Sequence, residues 1–268
     1  MSQFHQEVLL GERFQFGENW KHFLRGFTDE RLLQAENSLK QMLGSDDLSG
    51  TKFLDIGSGS GLFSLAAKRL GARVYSFDYD PGSVACAAYF KRRYFDGDPL
   101  WTIQTGSVLD RGYVESLGQF DTVYSWGVLH HTGEMWKALE NASLAVAPGG
   151  TLFIAIYNDQ RWISSYWKAV KKIYNRDAFF RYAMILAHFP YLVVLRVALR
   201  TVTGRGKLDR GMSVWHDMLD WLGGYPFEVA RPEHIAGFYV ARGFTLDRVK
   251  TCGRRHGCNE FVFRRGRR

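Results

Sequence analysis

The sequence predicts an α/β fold: a sheet covered by helices on both faces, preceded by a helical segment and interrupted late by a helical insertion. Three observations predict it. Short apolar runs typical of buried strands alternate with helical periods from Thr51 to Asn158, the pattern of a parallel sheet. The first run ends in a glycine turn that leads straight into a helix. The alternation then stops between residues 158 and 230 and resumes as helix, strand, turn and strand.

Residues 1–50 form the first unit. Phe4, Phe14, Phe16, Trp20, Phe23 and Phe27 make it unusually aromatic, and TDERLLQAENSLKQMLG has a strong helical period. Thr28 is placed to cap that helix, with Asp29 and Glu30 favourable in its first turn. Residues 51–157 form the central unit, with strands in TKFLDIG, ARVYSFD, WTIQTG, FDTVYSW and TLFIAIYN. LFSLAAKRLG reads as an amphipathic helix stopped by Gly71, and VLHHTGEMWKALENASLAVAPGG as a helix stopped at Pro148–Gly150.

Residues 158–230 read as a helical cap insertion, with RWISSYWKAVKKIYNR as one helix and a second helical stretch interrupted near Pro190. Between 161 and 210 there are eleven Lys/Arg against Asp177 and Asp209, a net of +9, against +8 for the whole chain. Lys168, Lys171, Lys172 and Arg176 recur at helical spacing and are expected on one face. The apolar part contains Arg181, His188, Pro190 and Arg196, a poor composition for an integral membrane span. A cap over the acceptor, a homodimer surface and an interfacial helix are the readings; the cap is favoured. Residues 231–268 complete the sheet.

Composition bounds the function. A chain of 268 residues with 46% apolar content holds one α/β domain plus an elaboration. Cys86, Cys252 and Cys258 form no paired framework or metal spacing, so neither disulfides nor a metal is expected. The start, MSQFHQEVLL, lacks a basic end followed by an apolar run; no signal peptide and a cytoplasmic location are the expectation. The basic residues are interleaved with long apolar runs rather than clustered with stacking aromatics, which disfavours a nucleic-acid partner.

The stretch FLDIGSGSGLF carries the chemistry. Gly57, Gly59 and Gly61 follow a G-x-G-x-G spacing, and Leu62 stands where a dinucleotide fingerprint needs its third glycine. Asp55 lies two residues before the first glycine, where a carboxylate suits a cationic ligand. The next strand ends in Asp78 and Asp80, where a ribose diol needs an acceptor. A phosphate-free cation carrying a ribose fits better than a pyrophosphate. On these residues, and on the Pro-Gly-Gly before an apolar strand, the sequence resembles the class I S-adenosylmethionine-dependent methyltransferases, in particular the small-molecule ubiquinone-biosynthesis kind.

The resemblance implies a Rossmann-like seven-stranded mixed sheet whose final strand runs antiparallel, S-adenosylmethionine as cofactor, and a leader lying across the cofactor mouth. It also implies that Asp55, Gly57, Ser58, Gly59 and Gly61 hold the methionyl end and Asp78 the ribose, with Tyr79 and Asp80 flanking. Ser107 and Val108 would lie by the adenine, where Ser107 departs from the acid often found there. Trp126, at the end of SWGVLHHTG, is counted with the cofactor residues. His130 and His131 follow it, and a histidine suits the removal of a hydroxyl proton near neutral pH, His131 being preferred because it lies further beyond the strand. Tyr157, Trp215, His216, Asp217, Trp221, Tyr225, His256 and Asn259 are the expected acceptor contacts. Methylation of a small molecule at oxygen is the leading expectation. Methylation of RNA or a protein side chain through the basic cap, and a noncatalytic nucleotide-binding module, are the alternatives.

Overall fold

A computed structural model describes residues 2–195, 197, 214–253 and 257–267. Arg254, Arg255 and His256 lie outside the described residues, as does the side chain of His216. Helices α1 (Gln3–Leu9), α2 (Phe16–Arg25) and α3 (Asp29–Leu43) precede β1 (Lys52–Ile56). The core continues through α4 (Leu62–Arg69), β2 (Arg73–Asp78), α5 (Pro81–Tyr94), β3 (Trp101–Thr105), α6 (Arg111–Ser116) and β4 (Phe120–Trp126). A single 3-10 turn (Leu129–His131), α7 (Met135–Leu144) and β5 (Val146–Tyr157) follow. The insertion holds α8 (Trp162–Tyr174), α9 (Ala178–Phe189), a π-helical turn (Pro190–Leu195) and α10 (Val214–Gly223). Helix α11 (Pro232–Val240), β6 (Phe244–Lys250) and β7 (Cys258–Arg265) close the chain.

The seven strands are ordered β3-β2-β1-β4-β5-β7-β6, and β7 runs antiparallel to both its neighbours. Strand order reverses between β1 and β4, so a crevice opens at their carboxyl ends, the place where open α/β sheets bind ligands. The sheet has two apolar faces. Leu54, Ile56, Val123, Leu152 and Ile154 pack against α7 and α11 on one side. Phe53, Val74, Tyr124 and Phe153 pack against α3, α4 and α5 on the other. This period-two alternation of large residues, apolar on both faces, is what a doubly covered strand requires. A third apolar cluster, around Trp167, Val170, Tyr174, Met218, Leu222 and Phe227, belongs to the insertion and meets the sheet at Tyr157.

Three local expectations change. Strand β5 begins at Val146, so Pro148–Gly150 lies inside it rather than stopping a helix. A register shift against β4 between Phe120 and Thr122 absorbs these residues, since proline cannot donate to the ladder and is tolerated at such irregularities. The helix expected from Val128 starts only at Met135. Thr28 does occupy the cap position of α3, but its side chain makes no capping hydrogen bond.

Candidate active site

The glycine loop between β1 and α4 is held open by its own backbone. Gly57, Gly59 and Gly61 have φ of 75°, 53° and 81°, the left-handed region that costs other residues strain. A β-carbon at Gly57 would run into the side chain of Val128 from the loop after β4, so the two halves of the crevice touch there. Asp78 straps the loop to the next strand: its carboxylate accepts from the Gly59 N–H (2.9 Å) and the Asp80 N–H (2.9 Å). Burial pushes Asp78 up to about 6 against these hydrogen bonds, with Asp80 adding repulsion. Asp55 lies deeper. It accepts from Ser64 Oγ (2.5 Å), which also meets Ser76 Oγ (2.7 Å), and Trp101 Nε1 donates to Ser76 (3.0 Å). Burial pushes Asp55 up to about 7. Ser58 Oγ is buried with no hydrogen-bond partner among the described residues.

The N-terminal segment covers this loop. The Gly17 N–H donates to Asp80 (2.7 Å), whose other oxygen caps α5 by accepting from the Gly82 N–H (2.8 Å). The indole of Trp20 lies against Gly59. Tyr79 is committed to the same segment: its hydroxyl donates to Glu7 (3.1 Å), Phe4 meets its ring edge-on, and the Arg13 guanidinium stands 4.9 Å above it. Ser107 accepts from the Leu109 N–H (3.2 Å), and Val108 is buried in the core. Trp126 packs at the end of β4 on the α4 side of the sheet.

The histidines sit at the other half of the crevice. His130 is fully buried, with its ring against Tyr157 (4.1 Å between centroids) and its Nδ1 facing the Tyr157 N–H (3.4 Å). Burial first, then the neighbouring His131 and Lys171, push it well below its ordinary value, so it is neutral. His131 Nδ1 is 2.6 Å from the Pro226 carbonyl oxygen. A carbonyl only accepts, so Nδ1 carries the proton and Nε2 keeps its lone pair. Burial, reinforced by the Lys171 charge, lowers His131 to about 3. Phe16 and Tyr157 flank its ring at 5.2 and 5.4 Å. Lys171 is completely buried: its Nζ donates to the Trp221 carbonyl and lies over the rings of Trp221 (4.7 Å) and Phe227 (4.9 Å). Asp220 accepts from Asn19 Nδ2 (2.5 Å), and burial pushes it upward while pulling Lys171 down.

Residues 54–152 match the family model described as a methyltransferase domain. The ubiquinone biosynthesis O-methyltransferase of Methylobacterium sp. (strain 4-46) is 35% identical over 118 residues, 43% of this chain and 45% of the relative. That of Xanthomonas campestris pv. campestris (strain B100) is 32% identical over 111 residues, 41% of this chain and 45% of the relative. The chain therefore spans less than half the length of these relatives. Among solved structures, magnesium protoporphyrin IX methyltransferase from Synechocystis PCC 6803, with bound SAH, superposes with a TM-score of 0.54 at 16% identity, covering 88% of this chain and 83% of that one. An O-methyltransferase family protein from Burkholderia thailandensis gives 0.52 at 15%, covering 81% and 51%. Residues 54–152 are therefore a methyltransferase domain on the fold of these structures, with S-adenosylmethionine as its cofactor.

The methyltransferase core suits that cofactor. Carboxylates at Asp78 and Asp80, bare peptide at the glycine loop and the buried hydroxyl of Ser58 suit a sulfonium carrying a ribose. A pyrophosphate would meet the same carboxylates with repulsion. Of the expected acceptor contacts, Tyr157 and Trp221 are brought together with His131, their rings edge-on at 5.6 Å. Tyr225 accepts the Phe14 N–H through its backbone (2.9 Å) and is half-buried. Trp215 lies half-exposed beside Phe189, and Asp217 is half-buried on the same helix. Asn259 is spent structurally, accepting from the Cys252 N–H (3.1 Å) and donating to Asn158 (3.1 Å). Lys171 does not share the exposed face of Lys168, Lys172 and Arg176; it turns inward among aromatic rings. Sequence reasoning missed Asn19 and Lys171 as neighbours of the site. The one available signal was Lys171, whose helical position also falls beside the apolar Trp167, Val170 and Tyr174.

Proposed function

We propose that this chain transfers the methyl group of S-adenosylmethionine to an oxygen of a small-molecule acceptor, held between the carboxyl ends of β4 and β5 and the cap. The observation that carries the reading is His131, neutral, buried and fixed in the tautomer that leaves Nε2 as an acceptor. The relatives' printed activity, O-methylation in ubiquinone biosynthesis, supports oxygen as the nucleophile.

When bound, the cofactor supplies an electrophilic methyl group on a sulfonium. The chain's own residues align and shield. Asp78, with Gly57, Ser58, Gly59 and Gly61, would hold the cofactor, and Asp55 stiffens the loop from beneath through Ser64. Phe16, Tyr157 and Trp221 give the acceptor an apolar wall and keep water out. His131 Nε2 accepts a hydrogen bond from the acceptor hydroxyl and turns an oxygen lone pair toward the methyl. A base lowered to about 3 takes a proton poorly from a neutral hydroxyl, but readily from the strongly acidic oxonium that forms as the methyl arrives. The proton therefore leaves late. Incubating the full chain with methyl-labelled cofactor and either a metabolite extract or total RNA tests the reading. Label is expected in a small product bearing a new methyl ether; label confined to RNA or protein would overturn it.

A further inference from the structure

The outer side of the cap has no role in the site described above, and its surface is unusual. On α9, Phe179, Tyr182, Leu186 and Phe189 follow steps of three, four and three residues, so they line one face. That face is bare: Phe179, Tyr182 and Leu186 are 76%, 71% and 78% exposed. The opposite side of α9 is committed to protein. His188 Nδ1 donates to the Met184 carbonyl (2.8 Å), its Nε2 accepts from the Tyr166 hydroxyl (2.7 Å), and Met184 and Ile185 pack on the cap's apolar cluster. An open groove of about 500 Å³ between α8 and α9, lined by Trp162, Tyr166, Trp167 and Tyr191, continues the apolar surface. Lys168 and Lys172 stand four residues apart on the exposed side of α8, and Arg176 is exposed just past its end.

We propose that this outer face of α8 and α9 docks on an anionic lipid bilayer, with the α9 rings at headgroup depth and the α8 cations over the lipid phosphates. Apolar and amphipathic aromatic side chains beside a basic stripe are the composition of an interfacial helix. Among the described residues Ala178–Leu195 is the one run long and apolar enough to cross a membrane, with mean hydropathy 1.6. His188 ties it to α8 through Tyr166, and a helix held to the cap in this way suits lying along the interface. Charge chooses the occupant. A second copy on this face would set one basic stripe against another within a segment of net +9, whereas a bilayer of acidic lipids supplies the opposite sign. Docking here is independent of the methyl-transfer reading.

The test is flotation of the full chain with vesicles of phosphatidylcholine alone or mixed with phosphatidylglycerol. Binding to the mixed vesicles, weakened by salt, is expected. Reversing Lys168, Lys172 and Arg176 to Glu should weaken it by about a hundredfold or more, since each basic residue near an anionic surface contributes several-fold. The variant F179S/Y182S/L186S should lose binding at least tenfold with an unchanged circular dichroism spectrum. If that variant does not fold, Phe179→Ser alone should still reduce binding measurably. Failure of the wild type to float with anionic vesicles would overturn the proposal. So would concentration-dependent dimerisation that the serine variants abolish while vesicle binding persists, or retention by RNA in place of vesicles.

Discussion

The two halves of the crevice are built on opposite electrostatic plans. On the glycine-loop side, carboxylates are gathered and pushed up by burial, Asp78 to about 6 and Asp55 to about 7, so the site gains by receiving a positive charge. On the cap side an ammonium is buried among rings, and two imidazoles are driven down into their neutral forms. On the proposed reading, the first half attracts the cation and the second keeps the reacting centre uncharged and dry. The difference separates binding from chemistry, and substitutions in each half should move different observables.

The largest effect is expected at His131. His131→Ala should lower kcat by about 10²–10⁴, while calorimetric cofactor affinity stays within about twofold. An equal loss in both would join the halves and break the comparison. Gly57→Val follows. Its positive φ and the Val128 contact add strain to overpacking, for about 3 kcal/mol or more of lost stability in urea unfolding. Gly118, also at positive φ but facing open space, should cost only about 1 kcal/mol on change to Ala.

Asp78→Ala should weaken cofactor binding by about 1.5–3 kcal/mol, the range for hydrogen bonds to charged groups. The sign of the pH effect follows from Asp78. Its value is raised in the free protein and a cation favours the carboxylate, so affinity is full above about 6 and falls as pH drops through that value. Titrations between pH 5 and 8 check this, and affinity that rises on acidification would contradict it. Lys171→Met removes one charge of a buried pair with Asp220 and should cost about 3 kcal/mol of stability, while its effect on binding and turnover is the smallest of the series. Removing that charge should let the His131 value rise, read as an upward shift in its NMR titration. An unmoved titration would mean that burial alone holds the imidazole neutral.

The loop half was legible because its determinants are local. Glycines at alternate positions, an acid two residues before them and another at the end of the next strand fix both turn and charge within residues 55–80. The parallel sheet followed from the alternation of strand and helix, and the family resemblance supplied the antiparallel β7. The cap half was not legible in the same way. His131 gets its tautomer from Pro226, 95 residues away, and Lys171 its partner from Trp221, 50 residues away. Helical spacing placed Lys171 with its basic neighbours, because periodicity assigns a face but not which face the fold covers. Asn19 became visible only once α2 lay across the crevice.

The first turns of α2 touch everything at once. Phe16 lies on His131, Gly17 binds Asp80, Asn19 binds Asp220, and Trp20 covers Gly59. A ligand that enters either half must displace or tighten the same few residues, so the cost of moving them is met once and shared. On the proposed reading cofactor and acceptor then act as each other's effectors, and linkage requires the factor by which one improves the other to be equal in both directions. Titrating each in the presence of the other measures that factor twice. On the proposed reading, whichever substrate binds first readies the site for the other, through a helix that reacts with neither.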